Sequence, residues 1–404
     1  MPLYKNPDFL RLPSALAAIF DKADPESFFA LPQWYDAMAR FAVPAESEIR
    51  VYTDERPGSA LALILEATME AGRRCLVSLA NFYSVEHGLI ASPNADLDTG
   101  LAAILSEIRG ERPRWDCLRL AELDPREGSY NALLRNLRRA GYLVECGAGA
   151  ATWYQTTAGV SFSDYLAARP SQLRRTWSRK RRGVETAGHL SAMFFADATE
   201  IDAAIADYQT IYASSWKPPE AFPHFIPALI RLAASLGALR LGIYYIDAVP
   251  AAAQLWIVWR GRAVIYKLAH DRRFDRLSLG TLLTMEMIER VLAHDNPVEI
   301  NFGRGDDPYK QQWLPMRRAR WGITAANPRT IRGLRLGVER EAAKLYHRLR
   351  GDPVMPPAAP VCPIAAPVGN SPARRTRSQP ETADRAAGRR NAQTGHRDDS
   401  VGKS

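Results

Sequence analysis

The stretch Val298–Trp313 reads Val-Glu-Ile-Asn-Phe-Gly-Arg-Gly-Asp-Asp-Pro-Tyr-Lys-Gln-Gln-Trp. An apolar strand runs into Gly303-x-Gly305, and Asp306, Asp307, Pro308, the phenol of Tyr309 and the amine of Lys310 follow within a few residues. Loops at the carboxyl ends of strands are where α/β proteins place ligands. A structural alternative has the same composition, with Gly-Asp-Asp-Pro as a turn and Trp313 as core. The Gly-x-Gly lacks the third glycine of a dinucleotide fingerprint, and no Walker-type loop occurs in the chain, which argues against NAD and ATP.

A second candidate is the loop from Arg272 to Thr281, which ends where a helix is predicted to begin. A helix N-terminus offers unpaired N–H groups and a positive dipole end to a phosphate. Arg272, Arg273 and Arg276 can pair with phosphate oxygens, and Ser278 and Thr281 add hydroxyls. Gly280, between Leu279 and the Thr281-Leu282 pair, lets the backbone approach a ligand closely. An ordinary βα loop with solvated arginines and Ser278 as a helix cap fits the same residues.

These loops need strands and helices to hold them. Leu239–Ile246, Ala252–Trp259 and Ala263–His270 read as strands, Thr281–His294 as a helix with Thr284, Met287, Ile288 and Val291 on one face, and Val298–Phe302 as a strand. The first half has the same order. Ala60–Thr68 and Arg73–Asn81 are strands, Asp98–Arg109 is a helix with Leu101, Ile104, Leu105 and Ile108 in register, and Trp115–Leu120 is a strand. Both the helices and the closing strands begin 183 residues apart, which suggests two copies of one α/β unit. Between the halves, Ser171–Arg182 reads as a short helix in which six of the nine residues from Arg174 to Arg182 are basic. A helix over Thr199–Trp216 is expected to start with Thr199 as cap and Asp202 close to a capping-box position. Thr330–Arg350 reads as an amphipathic helix packed on the core through Ile331, Leu334, Val338, Ala342, Leu345 and Leu349, with Arg332, Arg335, Arg340, Lys344, Arg348 and Arg350 outward.

The chain has 404 residues, 47% hydrophobic and 24% charged, a globular composition long enough for two domains. No run approaches the ~18 to 20 apolar residues of a spanning helix, and Met1–Leu16 lacks a compact apolar stretch. A cytoplasmic protein, not integral to a membrane, is the expectation. The net charge of +9 comes from 45 arginines and only eight lysines against 44 acidic residues, a skew that coding bias produces. Such a body suits an anionic cofactor as well as a polynucleotide. Cys75, Cys117, Cys146 and Cys362 have no paired spacing for zinc or redox chemistry and are read as reduced thiols without a catalytic role, and no metal site is expected.

Asn301–Trp313 resembles the closing motif of the CelD/BioF-like acetyltransferases, a branch of the GNAT superfamily related to FemAB-type transferases. Gln254-Leu255-Trp256, Leu279-Gly280-Thr281-Leu282-Leu283 and the basic run Arg174–Arg182 resemble the family as well. The resemblance covers roughly Phe162–Trp321, and the repeated layout extends it over Leu31–Tyr154. It implies an α/β (α+β) GNAT-like fold in two tandem domains with mixed, mainly antiparallel sheets flanked by helices. The expected organisation is a degenerate domain over 1–160, a catalytic one over 161–350 and a disordered Pro/Arg-rich tail over 351–404.

By that resemblance the co-substrate is acetyl-CoA or another acyl-CoA, its pyrophosphate held by Arg272, Arg273, Arg276 and the Ser278–Leu282 segment. The family's usual loop, Gln/Arg-x-x-Gly-x-Gly/Ala, is reduced here to Gly280. A general base must free the lone pair of the acceptor amine. Asp306 or Asp307, directly or through a water, is the candidate, with His270 as competitor, and Tyr309 is the acid or a substrate-orienting group. Arg174, Arg175, Trp216 and Lys310 are the substrate-side candidates. The basic run has three readings: a solvated face, a site for CoA phosphates or an acidic glycan, and a nucleic-acid contact. DNA is not expected and tRNA is disfavoured, because no aromatic strand platform accompanies the run. The implied activity is N-acyl transfer to an amine acceptor such as an amino sugar of a polysaccharide or envelope precursor. Two alternatives stand beside it: a FemAB-like aminoacyl-tRNA-dependent peptidoglycan transferase, and a non-catalytic scaffold of a polysaccharide-synthesis complex.

Overall fold

The computed structural model describes residues 2–56, 60–187 and 189–350, without the side chains of 185–187, 344, 345 and 347–350. The expected disordered tail and Cys362 lie outside the described residues. In chain order the first half contains β1 (Leu3–Lys5), α1 (Ser14–Ala23), α2 (Pro32–Phe41), β2 (Glu48–Asp54), β3 (Leu61–Glu70), β4 (Arg73–Ser78), β5 (Ile90–Ala91), α3 (Leu97–Gly110), β6 (Cys117–Leu123), α4 (Gly128–Arg139) and β7 (Leu143–Thr156). The second contains α5 (Phe162–Ala167), α6 (Ser171–Ala187), β8 (Leu190–Phe195), α7 (Ile201–Ala213), α8 (Phe225–Ser235), β9 (Leu239–Ile246), β10 (Val249–Trp259), β11 (Arg262–His270), α9 (Leu279–His294), β12 (Glu299–Asn301), β13 (Met316–Ala326) and α10 (Ile331–Arg350).

Each half builds the same unit. An antiparallel hairpin, β3–β4 or β10–β11, leads into a crossover helix, α3 or α9. The chain then returns as a strand parallel to the second hairpin strand, β6 beside β4 and β12 beside β11. A parallel return requires such a crossover. The last strand of each half then pairs with the other half: β7 lies against β12 and β13 against β6, both antiparallel. With β13 and β7 also paired, one sheet runs β1-β2-β3-β4-β6-β13-β7-β12-β11-β10-β9-β8, with β5 on β3.

Alternation along the strands divides the core by face. On β3, Leu61, Leu63 and Leu65 pack with α3 and α4, while Ala62 and Ile64 join the core of α1, α2, α7 and α8. On β10, Ala253, Leu255 and Ile257 face that second core, and Trp256 turns to α9 beyond a bulge at Leu255/Trp256. The Asp96 side chain caps α3 by accepting from the Thr99 N–H, and Leu101, Ile104, Leu105 and Ile108 are buried as their spacing predicts.

Three expectations are corrected. Cys75 and Cys117 form a disulfide: the parallel register of β4 and β6 sets them opposite each other, with Cα atoms 4.9 Å apart. Cys146 is a free cysteine. Helix α7 starts at Ile201 behind Glu200, whose φ is 56°, and the Thr199 N–H is taken by Asp197, so no capping box forms. Helix α10 turns its predicted stripe outward, with Ile331 89% and Val338 59% exposed. It docks instead through Leu336 and Gly333, where a Cβ would collide with the Asn327 and Asp116 carbonyls. Bonds from Arg340 to Glu145 (2.7 Å) and Arg73 to Glu339 (2.9 Å) fix that orientation. Lys344, Leu345, Arg348, Leu349 and Arg350 are among the side chains not described.

Candidate functional site

The site begins where β11 and β12 part. Their parallel pairing covers only Arg262↔Glu299 to Val264↔Asn301, after which β11 continues to His270. The other strand is drawn toward β7, since the Phe302 N–H donates to the Trp153 carbonyl (2.9 Å) and the Gly305 N–H to that of Ala151 (2.9 Å). The wedge opens into a cavity of about 280 Å³. Ile265–Leu268 form one wall and Phe302, Arg304, Asp307, Tyr309 and Lys310 the other, with Phe82, Tyr83, Val85, Trp216 and Lys217 closing it.

The turn after β12 is tight because of Gly305. Its φ is 124°, and a Cβ there would meet the Lys310 Nζ at 2.7 Å. Lys310 is buried and spends its donors on Asp307 (3.0 Å) and on the Arg304 and Gly305 carbonyls (3.2 Å each). Burial pushes its ammonium below the usual lysine range, against the pull of Asp307. Tyr309 also lines the cavity, and burial with the nearby Asp307 charge raises its phenol, which therefore stays protonated.

The two carboxylates of the turn part company. Asp307 faces the cavity, whereas Asp306 accepts from the Trp153 indole (3.0 Å) and from Arg317 (2.9 and 2.5 Å) outside it. Hydrogen bonds from Arg317 hold Asp306 below the usual carboxylate range, which makes it a poor proton acceptor. His270 does not line the cavity. Its Nε2 lies 3.0 Å from Asp275, while its buried Nδ1 has no partner among the described residues and faces Gly280, where a Cβ would sit 3.4 Å away.

Helix α9 starts two residues earlier than predicted, at Leu279. Ser278, at φ 57°, joins it to a 3-10 turn over Arg272–Leu277 and makes no side-chain cap. The Ser278 carbonyl accepts from the Thr281 (3.0 Å) and Leu282 (3.2 Å) N–H groups, so the Leu279 and Gly280 amides are those with no acceptor one turn back. Buried Gln254 supports this end: it donates to the Gly280 carbonyl (3.3 Å) and accepts from the Trp256 indole (2.9 Å). The Leu279 and Leu282 side chains are core, so these residues can offer a ligand only backbone. Arg273 is committed to Asp271 (2.9 and 2.7 Å), whereas Arg272 and Arg276 are exposed. Helix α6 lies alongside: Lys180 donates to the Arg276 carbonyl, Arg181 rests on the Trp177 ring at 5.4 Å, and Arg174 and Arg175 are exposed.

Residues that sequence reasoning passed over line the cavity or stand behind its wall. Glu220 accepts from the Tyr83 hydroxyl (2.6 Å) and from Lys267 (2.8 Å), which hold its carboxyl low against the effect of burial. Burial and then Lys267 push the Lys217 amine down to about 7. One signal was present in the sequence. In a chain with 45 arginines and eight lysines, Lys217, Lys267 and Lys310 are three of those eight, and they meet here.

Residues 171–311 match the family model described as acetyltransferase (GNAT) domain. None of the curated proteins compared matches the chain. Among solved structures, FemX aligns with TM-score 0.52 and 8% identity over 81% of this chain and 98% of its own. The C-terminal domain (DUF2156) of a lysylphosphatidylglycerol synthetase described as putative, from Agrobacterium fabrum, aligns with TM-score 0.48 and 12% identity over 82% and 96%. A tandem GNAT protein from the clavulanic acid biosynthesis pathway gives 0.46 and 15% over 81% and 99%. At such identities a likeness speaks for fold alone. The chain has a GNAT-like α/β fold, a large mixed sheet flanked by helices. No helix among the described residues is long and apolar enough to cross a membrane.

Proposed function

We propose that the chain is an acyl-CoA-dependent N-acyltransferase whose acceptor amine enters the cavity between β11 and the 303–310 turn. The observation that carries this reading is the wedge itself, which opens between β11 and the turn after β12 and is joined to the start of α9 through Trp216, a cavity-lining residue that packs on His270. The local residues fit an acyl-CoA: the Leu279 and Gly280 amides, exposed Arg272 and Arg276, and the unpartnered Nδ1 of His270 beside Gly280. Acyl-CoA supplies the activated acyl group as a thioester. The unpaired edge of β11 beyond Val264 offers backbone amides to an acyl oxygen.

Lys217, Lys267, Lys310 and Arg304 line the cavity against one lining carboxylate, Asp307. Asp307 is the carboxylate placed to take the proton, and the Tyr309 phenol the donor for the departing thiolate. The resemblance of the Asn301–Trp313 run to the CelD/BioF-like branch favours an amino sugar of an envelope or polysaccharide precursor as acceptor.

The FemAB-like reading, with aminoacyl-tRNA as donor, draws on exposed Arg174 and Arg175 on α6. Thermal unfolding with acetyl-CoA separates the two. Saturable stabilisation, about 2.7 kcal/mol at a hundredfold excess over Kd, supports the acyl-CoA reading. No response to acyl-CoA together with salt-sensitive tRNA binding supports the other.

A further inference from the structure

We infer that the cavity holds an anionic group of the acceptor, a carboxylate or a phosphate, which pairs with the side-chain nitrogen of Lys217. This rests on the reading of the cavity as the acceptor site.

Lys217 enters from the segment after α7. Among the described residues its Nζ has no carboxylate within ion-pair distance, and it meets only the rings of Tyr212 at 5.9 Å and Trp216 at 5.7 Å. The other cations of the cavity are already matched: Lys267 with Glu220 (2.8 Å), Lys310 with Asp307 (3.0 Å) and Arg304 with Glu122 (3.0 Å). The fixed pairs cancel, and Lys217 is the surplus. The aromatic walls, Phe82, Phe302 and Tyr309, suit a ligand whose anionic group is attached to an apolar or ring body.

The choice of lysine is itself informative. An arginine here would stay charged in the empty cavity without a carboxylate partner. A lysine can release its proton when the site is empty and recover it when an anion arrives. Lys267 on β11 and Lys310 on the turn repel the ammonium, while Glu220 and Asp307 favour it, and burial outweighs them all. An incoming carboxylate or phosphate adds the missing attraction and draws a proton onto the amine. Binding above neutral pH therefore takes up a proton.

The test is calorimetric titration of the full chain at pH 8 with benzoate in one arm and phenyl phosphate in the other. Each arm is run in two buffers of different ionisation enthalpy. The proposal expects saturable binding in at least one arm, with uptake approaching one proton per ligand, and the arm that binds names the anion. Lys217→Met should lose at least tenfold in affinity together with the uptake, while Lys217→Arg keeps the affinity and takes up no proton. Absence of binding in both arms, or binding without uptake, or binding indifferent to Lys217→Met, overturns it. Stabilisation by acetyl-CoA is measured on the same samples. A wild-type chain that binds the anion but not acetyl-CoA keeps the subsite and loses the acyl-CoA reading, so the two failures are distinct.

Discussion

The Trp216 indole lies against the His270 imidazole, with ring centroids 4.6 Å apart, and it also lines the cavity that holds Asp307, Tyr309 and Lys310. One aromatic residue thus joins the start of α9, where His270 faces Gly280, to the turn after β12. A ligand with its phosphates at one end and its reacting group at the other would run past this indole. Trp216→Ala should raise the KM for acyl-CoA and lower turnover together. Steady-state kinetics with acyl-CoA varied would check this.

The turn residues should separate by role. Tyr309→Phe removes the proton donor and is expected to lower turnover roughly 10²-fold or more. The melting temperature should barely move, because the residue as a whole is 44% exposed and its hydroxyl is the only atom removed. Asp307→Asn should lower turnover as well. Asp306→Asn breaks a half-exposed pair with Arg317, so it should cost about 1 kcal/mol or less and leave turnover nearly intact. Equal losses in the two aspartate variants would contradict the assignment.

The α9 start predicts a charge effect. Arg272→Glu with Arg276→Glu should weaken acyl-CoA binding at least tenfold and flatten its dependence on salt. Arg273→Glu should act mainly on stability, since Arg273 is tied to Asp271. Titrations at two ionic strengths would separate these effects.

Much of this site could be read from residue order. The strands β9 to β11 follow from their apolar runs and the turns between them, and α9 from the spacing of Thr284, Met287, Ile288 and Val291. The repeated hairpin, helix and parallel strand were visible as equal spacing in the two halves. What no local pattern carries is pairing at long range. The exchange of β7 and β13 brings Trp153 and Arg317 to Asp306, and this commits the first-named carboxylate to partners outside the cavity. Likewise Lys217 and Glu220 sit in an unremarkable loop, and only the approach of Tyr83 from the other half and Lys267 from β11 gives them their environment. Helix α10 shows a different failure. Its apolar periodicity is real, yet close approach at Gly333 selects the opposite face for docking.

Lys217 also imposes a pH dependence on folding. Its amine is pushed from 10.5 to about 7 in the folded chain, so between those values the unfolded chain binds more protons and stability rises with pH. Lys217→Met removes this contribution. Denaturant unfolding from pH 7 to pH 10 should therefore show a flatter slope for the variant than for the wild type.

The disulfide is directly checkable. Alkylation under denaturing conditions without reductant should label Cys146 and spare Cys75 and Cys117. A link that closes a loop of this length contributes about 4 kcal/mol in the chain-entropy account, so reductant should lower the unfolding midpoint. Labelling of Cys75 and Cys117 without reductant would refute the link.

Hydrogen–deuterium exchange with saturating acetyl-CoA tests the central claim most directly. The account predicts slowed exchange of the amides over 265–270, 278–282 and 303–310, the two arms of the wedge and the helix start beside it. Unchanged exchange in those segments at saturation, or protection confined to β2, β3 and β4 of the first half, would contradict it.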